Sequence, residues 1–221
     1  MVRSELKTKA KQAISGKIGA IFLVTFVVSL GFSIVFTIFN SLVSLIFGNV
    51  DPAAISATTT TGLIVSMVIC WAVIILTVGG LALSFAAIFL NIGNKKPVVE
   101  DVKFGFKDGN LKRGIFGLIR YEIFVFFWSL LFVVPGIVKS YAYSQMFYLM
   151  ADNKKLTASE AQKKSIEMMD GHKAEYFMLQ LSFIPWVLLI VVTLGFGAIY
   201  VAPYIEATLA EFYKGLKKAA K

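Results

Sequence analysis

One histidine and one cysteine in 221 residues leave little room for metal or nucleophilic chemistry. A zinc-protease helix needs two histidines four residues apart, and a CxxC site needs two thiols, so His172 and Cys70 each lack a partner. No GxSxG elbow and no Walker A loop occurs in the chain. Gly195-Phe196-Gly197 lacks the third glycine and the acidic residue of a dinucleotide-binding loop and reads as turn chemistry. His172 follows a helix-ending glycine, where a solvated imidazole is expected rather than a ligand. The inventory predicts no catalytic residue, no metal and no cofactor, and hence a protein that is not an enzyme.

Ionisable residues inside apolar runs are the better candidates, because a charge in hydrocarbon persists only where it has work or a partner. Arg120, Glu122, Lys139 and Glu206 qualify. The first three lie near the ends of their runs, within reach of an interface. Glu206 lies near the middle of the last run, between Pro203-Tyr204 and Lys214. With Tyr141, Tyr143, Tyr200 and Tyr204 it makes a candidate cavity set, in which the carboxylate would serve a cavity or couple to a proton; the plainer alternative is a protonated or locally bonded Glu inside a helix bundle.

The elements that must position these residues follow from composition. The apolar residues make up 57% and the charged ones 16%, and mean hydropathy is +0.77, against about 25% charged in soluble domains. Such a chain has the bilayer as its solvent. Two apolar runs, 18–47 and 62–90, exceed the roughly 20 residues that cross about 30 Å of hydrocarbon. Two more, 114–151 and 176–213, are nearly twice that length and carry Pro135-Gly136 and Gly195-Phe196-Gly197 near their centres, which predicts hairpins tipped at those residues. The expected fold is an all-α transmembrane bundle with six spans at about 20–46, 62–90, 115–134, 137–151, 176–194 and 197–213.

Charge distribution agrees with that division. Of the 22 basic residues, 20 fall in the amino-terminal segment 1–17, the connections 95–113 and 154–173, and the carboxyl tail, all on one side of a six-span protein. The positive-inside rule makes that side the cytoplasm and puts both termini there, in a multi-pass cell-membrane protein. The net charge of +9 therefore points to anionic lipid headgroups as partners and not to nucleic acid, since no soluble segment is long enough to form a nucleic-acid-binding fold. On the same side, Thr157 and Glu160 form a capping-box pattern that starts a surface helix at 157–170. Residues 97–107 and the amphipathic segment with Leu6, Ala10 and Ile14 predict two more helices lying on the membrane.

Two finer expectations follow. Trp128-Ser-Leu-Leu-Phe-Val-Val134 and Trp186-Val-Leu-Leu-Ile-Val-Val192 match at five of seven positions, as parallel repeats of one hairpin would. Reflection about a tip between Pro135 and Gly136 sets residue 120 opposite residue 151, which predicts an ion pair between Arg120 and Asp152 at the cytoplasmic end of the first hairpin.

The run from Trp128 through Pro135-Gly136-Ile137 to Ser144, with Leu149 to Asn153, resembles the central motif of a bacterial integral membrane family, domain of unknown function 975. Met168 to Lys173, Leu181 to Trp186, Tyr200 to Tyr204 and Phe212-Tyr213 are similar to the same family, and Arg3 with Leu6-Lys7 resembles its opening. The resemblance implies a polytopic bacterial membrane protein and supplies no activity or catalytic residue. Two functions fit: a non-enzymatic protein that organises or regulates a process at the cytoplasmic face, or a small transporter or lipid-handling protein with a cavity between the hairpins.

Overall fold

The computed structural model describes residues 2–47, 57–93, 98–107 and 109–219, and every regular element among them is helical. In chain order these are α1 (Arg3–Ile14), α2 (Ile18–Phe47), α3 (Ala57–Asn91), α4 (Val98–Val102), a 3-10 turn (Phe104–Phe106), α5 (Asn110–Leu131), α6 (Val133–Tyr143), α7 (Met146–Asp152), α8 (Ala158–Met168), α9 (Lys173–Leu181), α10 (Ile184–Val192) and α11 (Ala198–Ala219). The outer loop with Asp51, and Pro97 at the start of the second surface segment, lie outside the described residues. By length and composition two described segments can cross a membrane, Met67–Asn91 and Lys173–Val192. Arg3–Ile14 and Ile18–Leu30, bent by 78°, would make a third if counted as one. Six full spans are not found among the described residues.

The buried side chains gather at the lysine-bearing end. Leu6, Ala10 and Ile14, spaced four apart on one face of α1, meet α11, and behind them lie Leu83 to Phe89 of α3, Met146 and Met150 of α7, and Phe212 and Leu216 of α11. Away from this base the helices expose apolar surface. Phe126, Phe127, Leu130 and Val134 on the first hairpin, and Val191, Val192 and Phe196 on the second, are all exposed, and Leu194 at the second tip is 90% exposed. Isolated apolar residues on a surface are ordinary, but a continuous crown of this kind is a liability in water. Where α3 crosses α5 the backbones touch, since a Cβ on Gly79 would sit 2.8 Å from the Ile115 backbone, a small-residue contact of the kind that draws helices together in lipid.

The first hairpin turns earlier than expected. α5 ends at Leu131, Phe132 is extended (φ −161°, ψ 149°), and α6 begins at Val133, so Pro135-Gly136 is not the tip. Pro135 occupies the first turn of α6, where a missing N–H costs no helical hydrogen bond. Gly136 lets α6 lie against α5, because a Cβ there would meet the Ser129 backbone at 2.9 Å. The returning arm is also broken, into α6 and α7, by a substitution of partners. The buried Ser165 hydroxyl on α8 accepts from the Gln145 N–H (3.2 Å) and donates to the Ala142 carbonyl (2.7 Å), replacing backbone bonds that a continuous helix would make.

The second hairpin turns where its glycines stand. Leu194 (φ 51°) and Gly195 (φ 95°) adopt left-handed conformations, and the Gly197 N–H donates to Thr193 Oγ1 at 2.7 Å. Its tip is thus tied by one side-chain bond.

At the base, α8 opens with the expected capping box. Glu160 N–H donates to Thr157 Oγ1 (3.3 Å), and Thr157 N–H donates back to the Glu160 carboxylate (2.9 Å). α8 buries Ala161, Gln162 and Ser165 against the protein and leaves Ile166 exposed.

Candidate functional site

Glu206 stands where two cavities meet. One, of about 290 Å³, is lined by Tyr121 of α5, Tyr143 of α6, Phe147 and Tyr148 of α7, Tyr176 of α9 and Glu206 of α11, with Phe85 of α3. The other, of about 490 Å³, is an apolar groove between α2, α3 and α11, lined by Ile21, Phe22, Phe85, Phe89, Ile199, Ala202, Pro203 and Glu206, and it ends at Gly195 near the second tip. Its volume lies in the range of ordinary ligand sites, about 300–1,000 Å³. Phe85 and Glu206 line both, so the apolar groove and the tyrosine-lined pocket adjoin at these two side chains.

The helices explain the partition. Ala198, Ala202 and Glu206 recur every four residues and share one stripe of α11. The two alanines leave the groove open and the carboxylate closes its lower end. Tyr200 and Tyr204 share a different stripe and stack on each other, with centroids 6.1 Å apart. They pack against Trp186 of α10, at 6.2 and 5.1 Å, and the Lys11 ammonium covers Tyr204 at 5.7 Å. Tyr204 is buried there, and neither residue enters the cavity. Tyr141 packs edge-on to Tyr176 at 5.4 Å and tilts against Phe177, outside the lining. Of the five residues expected to form one cavity, the structure brings together Tyr143 and Glu206.

The missing walls are Tyr121, Tyr148 and Tyr176, each on a different helix. Tyr121 meets Tyr143 edge-on at 6.3 Å and leans on Phe147 at 6.2 Å. Tyr148 donates a long hydrogen bond, 3.5 Å, to Glu206 Oε2 and stacks on Tyr213 at 5.6 Å. Glu206 itself is exposed to the groove.

Arg120 and Asp152 do not pair. Arg120 Nε donates to Gln162 Oε1 of α8, and its guanidinium lies 4.7 Å from the Phe124 ring. Asp152 accepts from the Tyr213 hydroxyl (2.9 Å) and binds the Lys217 ammonium. The cause is the displaced tip: reflection about Phe132 puts residue 144, not 151, opposite residue 120. Arg113, counted in the sequence only as one of a basic cluster, closes this end instead. Its Nη1 donates to Asn110 Oδ1 (2.7 Å) and its Nε to the Leu156 carbonyl (3.1 Å). Nη2 reaches the carbonyls of Met150 (3.0 Å), Asn153 (2.9 Å) and Leu156 (2.9 Å). His172 Nδ1 lies 3.1 Å from Glu175 Oε2, while Asp170 faces Lys173 at 3.8 Å.

These helices are the ones for which a relationship is detectable. Residues 133–220, from α6 to the end of α11, match a family described as Protein of unknown function (DUF975), and the chain resembles that family over this stretch. Arg3, Leu6-Lys7 and the run from Trp128 to Phe132 lie outside the match. No curated protein and no solved structure matches the chain.

Proposed function

We propose that the chain is a non-enzymatic, multi-pass protein of the bacterial cell membrane, with both termini cytoplasmic, that holds a lipid-like molecule in the cytoplasmic leaflet. The observation that carries this is the groove: an apolar cavity between α2, α3 and α11 adjoins a tyrosine-walled pocket at Glu206.

Helix lengths support the placement. α2 has 30 residues and α3 has 35, about 45 and 52 Å at 1.5 Å per residue, more than the roughly 30 Å of hydrocarbon. Both cross. The hairpins are shallower. Arg120 is tied to Gln162 of the lysine-bearing α8, so the Arg120 level of α5 belongs to the interface. From Glu122 to Leu131 the helix rises only about 14 Å, close to one leaflet of about 15 Å. Lys139, about 10 Å from this tip, lies 4.4 Å over the Trp128 ring and has the length to snorkel back. In the second hairpin the Lys7 ammonium lies 4.8 Å from the Phe183 ring, which sets the interface at the start of α10. The nine residues of α10 add about 14 Å more. Although Lys173–Val192 has the length and composition to cross as one segment, the Lys7 contact at Phe183 keeps α9 at the base, so each hairpin enters one leaflet and returns, and apolar tips such as Phe132 and Leu194 suit that depth. α1, set at 78° to α2, runs along the membrane plane.

The exposed Lys163 and Lys164 of α8 favour anionic headgroups at the cytoplasmic face. They also support the second reading, an organising role at that face.

Photo-crosslinking tests the lipid reading. In vesicles containing a phospholipid with a diazirine near the middle of one acyl chain, crosslinks should concentrate on Phe22, Ile199 and Ala202, and Ala202→Trp should remove them. Crosslinks spread evenly over the exposed faces of α5 and α10, and unchanged by Ala202→Trp, would refute a lipid-holding groove.

A further inference from the structure

We infer that the occupant of the groove is an amphiphile whose headgroup carries net positive charge, with its ammonium in the tyrosine-walled pocket beside Glu206 and one alkyl chain along the groove. The inference rests on the lipid-holding reading and adds the chemistry of the head.

Three observations converge. Among the described residues that line either cavity, Glu206 alone carries a formal charge, and it stands where they meet. Its hydrogen bond among the described residues is the long one from Tyr148, which leaves carboxylate oxygen for a further donor. The base is rich in lysines, yet no described lysine lines this pocket. The nearest cation on α5, Arg120, is directed to Gln162 and Phe124. An anionic head would meet the Glu206 carboxylate with no cation among the described lining residues, Arg120 acting only from behind the Tyr143 wall; a cationic head would complete an ion pair.

The walls select the same charge. Tyr121, Tyr143, Tyr148 and Tyr176, from four helices, line the pocket with aromatic rings, and the electron-rich rings of such a wall attract an ammonium group where it meets them. The tail has matching length. From Ala198 to Glu206 along α11 is about 12 Å, with the turn at Gly195 beyond it, so a chain with its head at Glu206 ends near the apolar tip. A zwitterionic phospholipid head would bring a phosphate toward Glu206 together with its ammonium, so a head without phosphate fits better.

The test uses full-length protein in nanodiscs of an uncharged glycolipid and follows displacement of a neutral, fluorescent single-chain probe. Four C12-chain competitors are compared at equal mole fraction in the disc: dodecyltrimethylammonium, dodecyl maltoside, dodecanoate and dodecylphosphocholine. The cationic amphiphile should displace the probe at about tenfold lower mole fraction than the neutral one. Dodecylphosphocholine should gain little and dodecanoate should compete worst. Glu206→Gln should erase the cationic preference while leaving dodecyl maltoside unchanged. Tyr121→Leu should weaken it several-fold, and Tyr148→Phe, which keeps the ring, should retain most of it. Equal competition by all four, a preference for dodecanoate, or a preference that survives Glu206→Gln overturns the cationic head and leaves the groove standing. If Ala202→Trp leaves every displacement unchanged, the groove reading itself fails. A change of oligomeric state in that variant without any change in displacement assigns the groove to a second copy of the chain and overturns the proposal.

Discussion

Removing the Arg113 side chain should cost more stability than removing any other single charge at the base. Its guanidinium joins α5 to the end of α7 and to the connection before α8, reaching the carbonyls of Met150, Asn153 and Leu156. The first is a carbonyl of the last turn of α7, where the helix has no partner of its own and its dipole favours a cation. In Arg113→Ala the bond to Asn153, which is exposed, is replaced by water at little cost, but those to Met150 and Leu156 are partly buried. At about 1.5 kcal/mol each, the low end for bonds to a charged group, the loss is about 3 kcal/mol. For a chain of this size each kcal/mol lowers the melting temperature by about 2–4 °C, so the variant should melt about 6–12 °C lower. Arg113→Lys should lose about half as much, because a single ammonium cannot serve carbonyls that the planar fork reaches together. Circular dichroism melts of the detergent-solubilised protein measure both. A fall of less than 2 °C for Arg113→Ala, or a lysine variant indistinguishable from the parent, would refute the reasoning. In the same assay a double-mutant cycle on Arg120 and Asp152 should give coupling near zero, since neither touches the other.

Two further outcomes are expected. In intact cells a cysteine at Val134 should resist a membrane-impermeant maleimide added from outside, whereas a tip that emerged beyond the outer leaflet would be labelled at once. At the base, the Thr157 N–H and hydroxyl hold the Glu160 carboxyl below its ordinary value of 4.5. A depressed folded pKa means that the cap's contribution is complete above the ordinary value and is lost as pH falls through the lower, folded one. The Thr157 amide resonance should therefore stay unchanged from pH 7 to the ordinary carboxylate range and move only below it, and Glu160→Gln should flatten that titration.

What the sequence displayed, and what it hid, divides along physical lines. Local patterns were legible: the capping box needs only Thr157 and Glu160 three residues apart, and the face of α1 needs only Leu6, Ala10 and Ile14. The second tip was legible because left-handed backbone demands glycine at Gly195. The first tip was not. A turn in water advertises itself with Asn, Asp, Gly or Pro, which solvate or shape its backbone. Phe132 bends a hairpin flanked by apolar residues, with no Asn, Asp or Gly at the bend, and the nearest proline belongs to the helix that follows. That displacement of a few residues carried Arg120 away from Asp152 and hid the role of Arg113.

The cavity was half legible for a reason of the same kind. Tyr204 and Glu206 are two residues apart, about 200° around a helix, so they cannot face one groove, whereas Ala198, Ala202 and Glu206 must. The small-residue stripe ending in a carboxylate was therefore present in the sequence as a groove signal, and the tyrosines beside it belonged to the packed face. Tyr121, Tyr148 and Tyr176 could be joined to Glu206 only by the fold, because each sits on a separate helix and no spacing along the chain relates them. Periodicity locates the side of a helix that must stay open; what fills the opening depends on contacts between helices far apart in sequence. For this chain those contacts place four tyrosines and one carboxylate around one pocket.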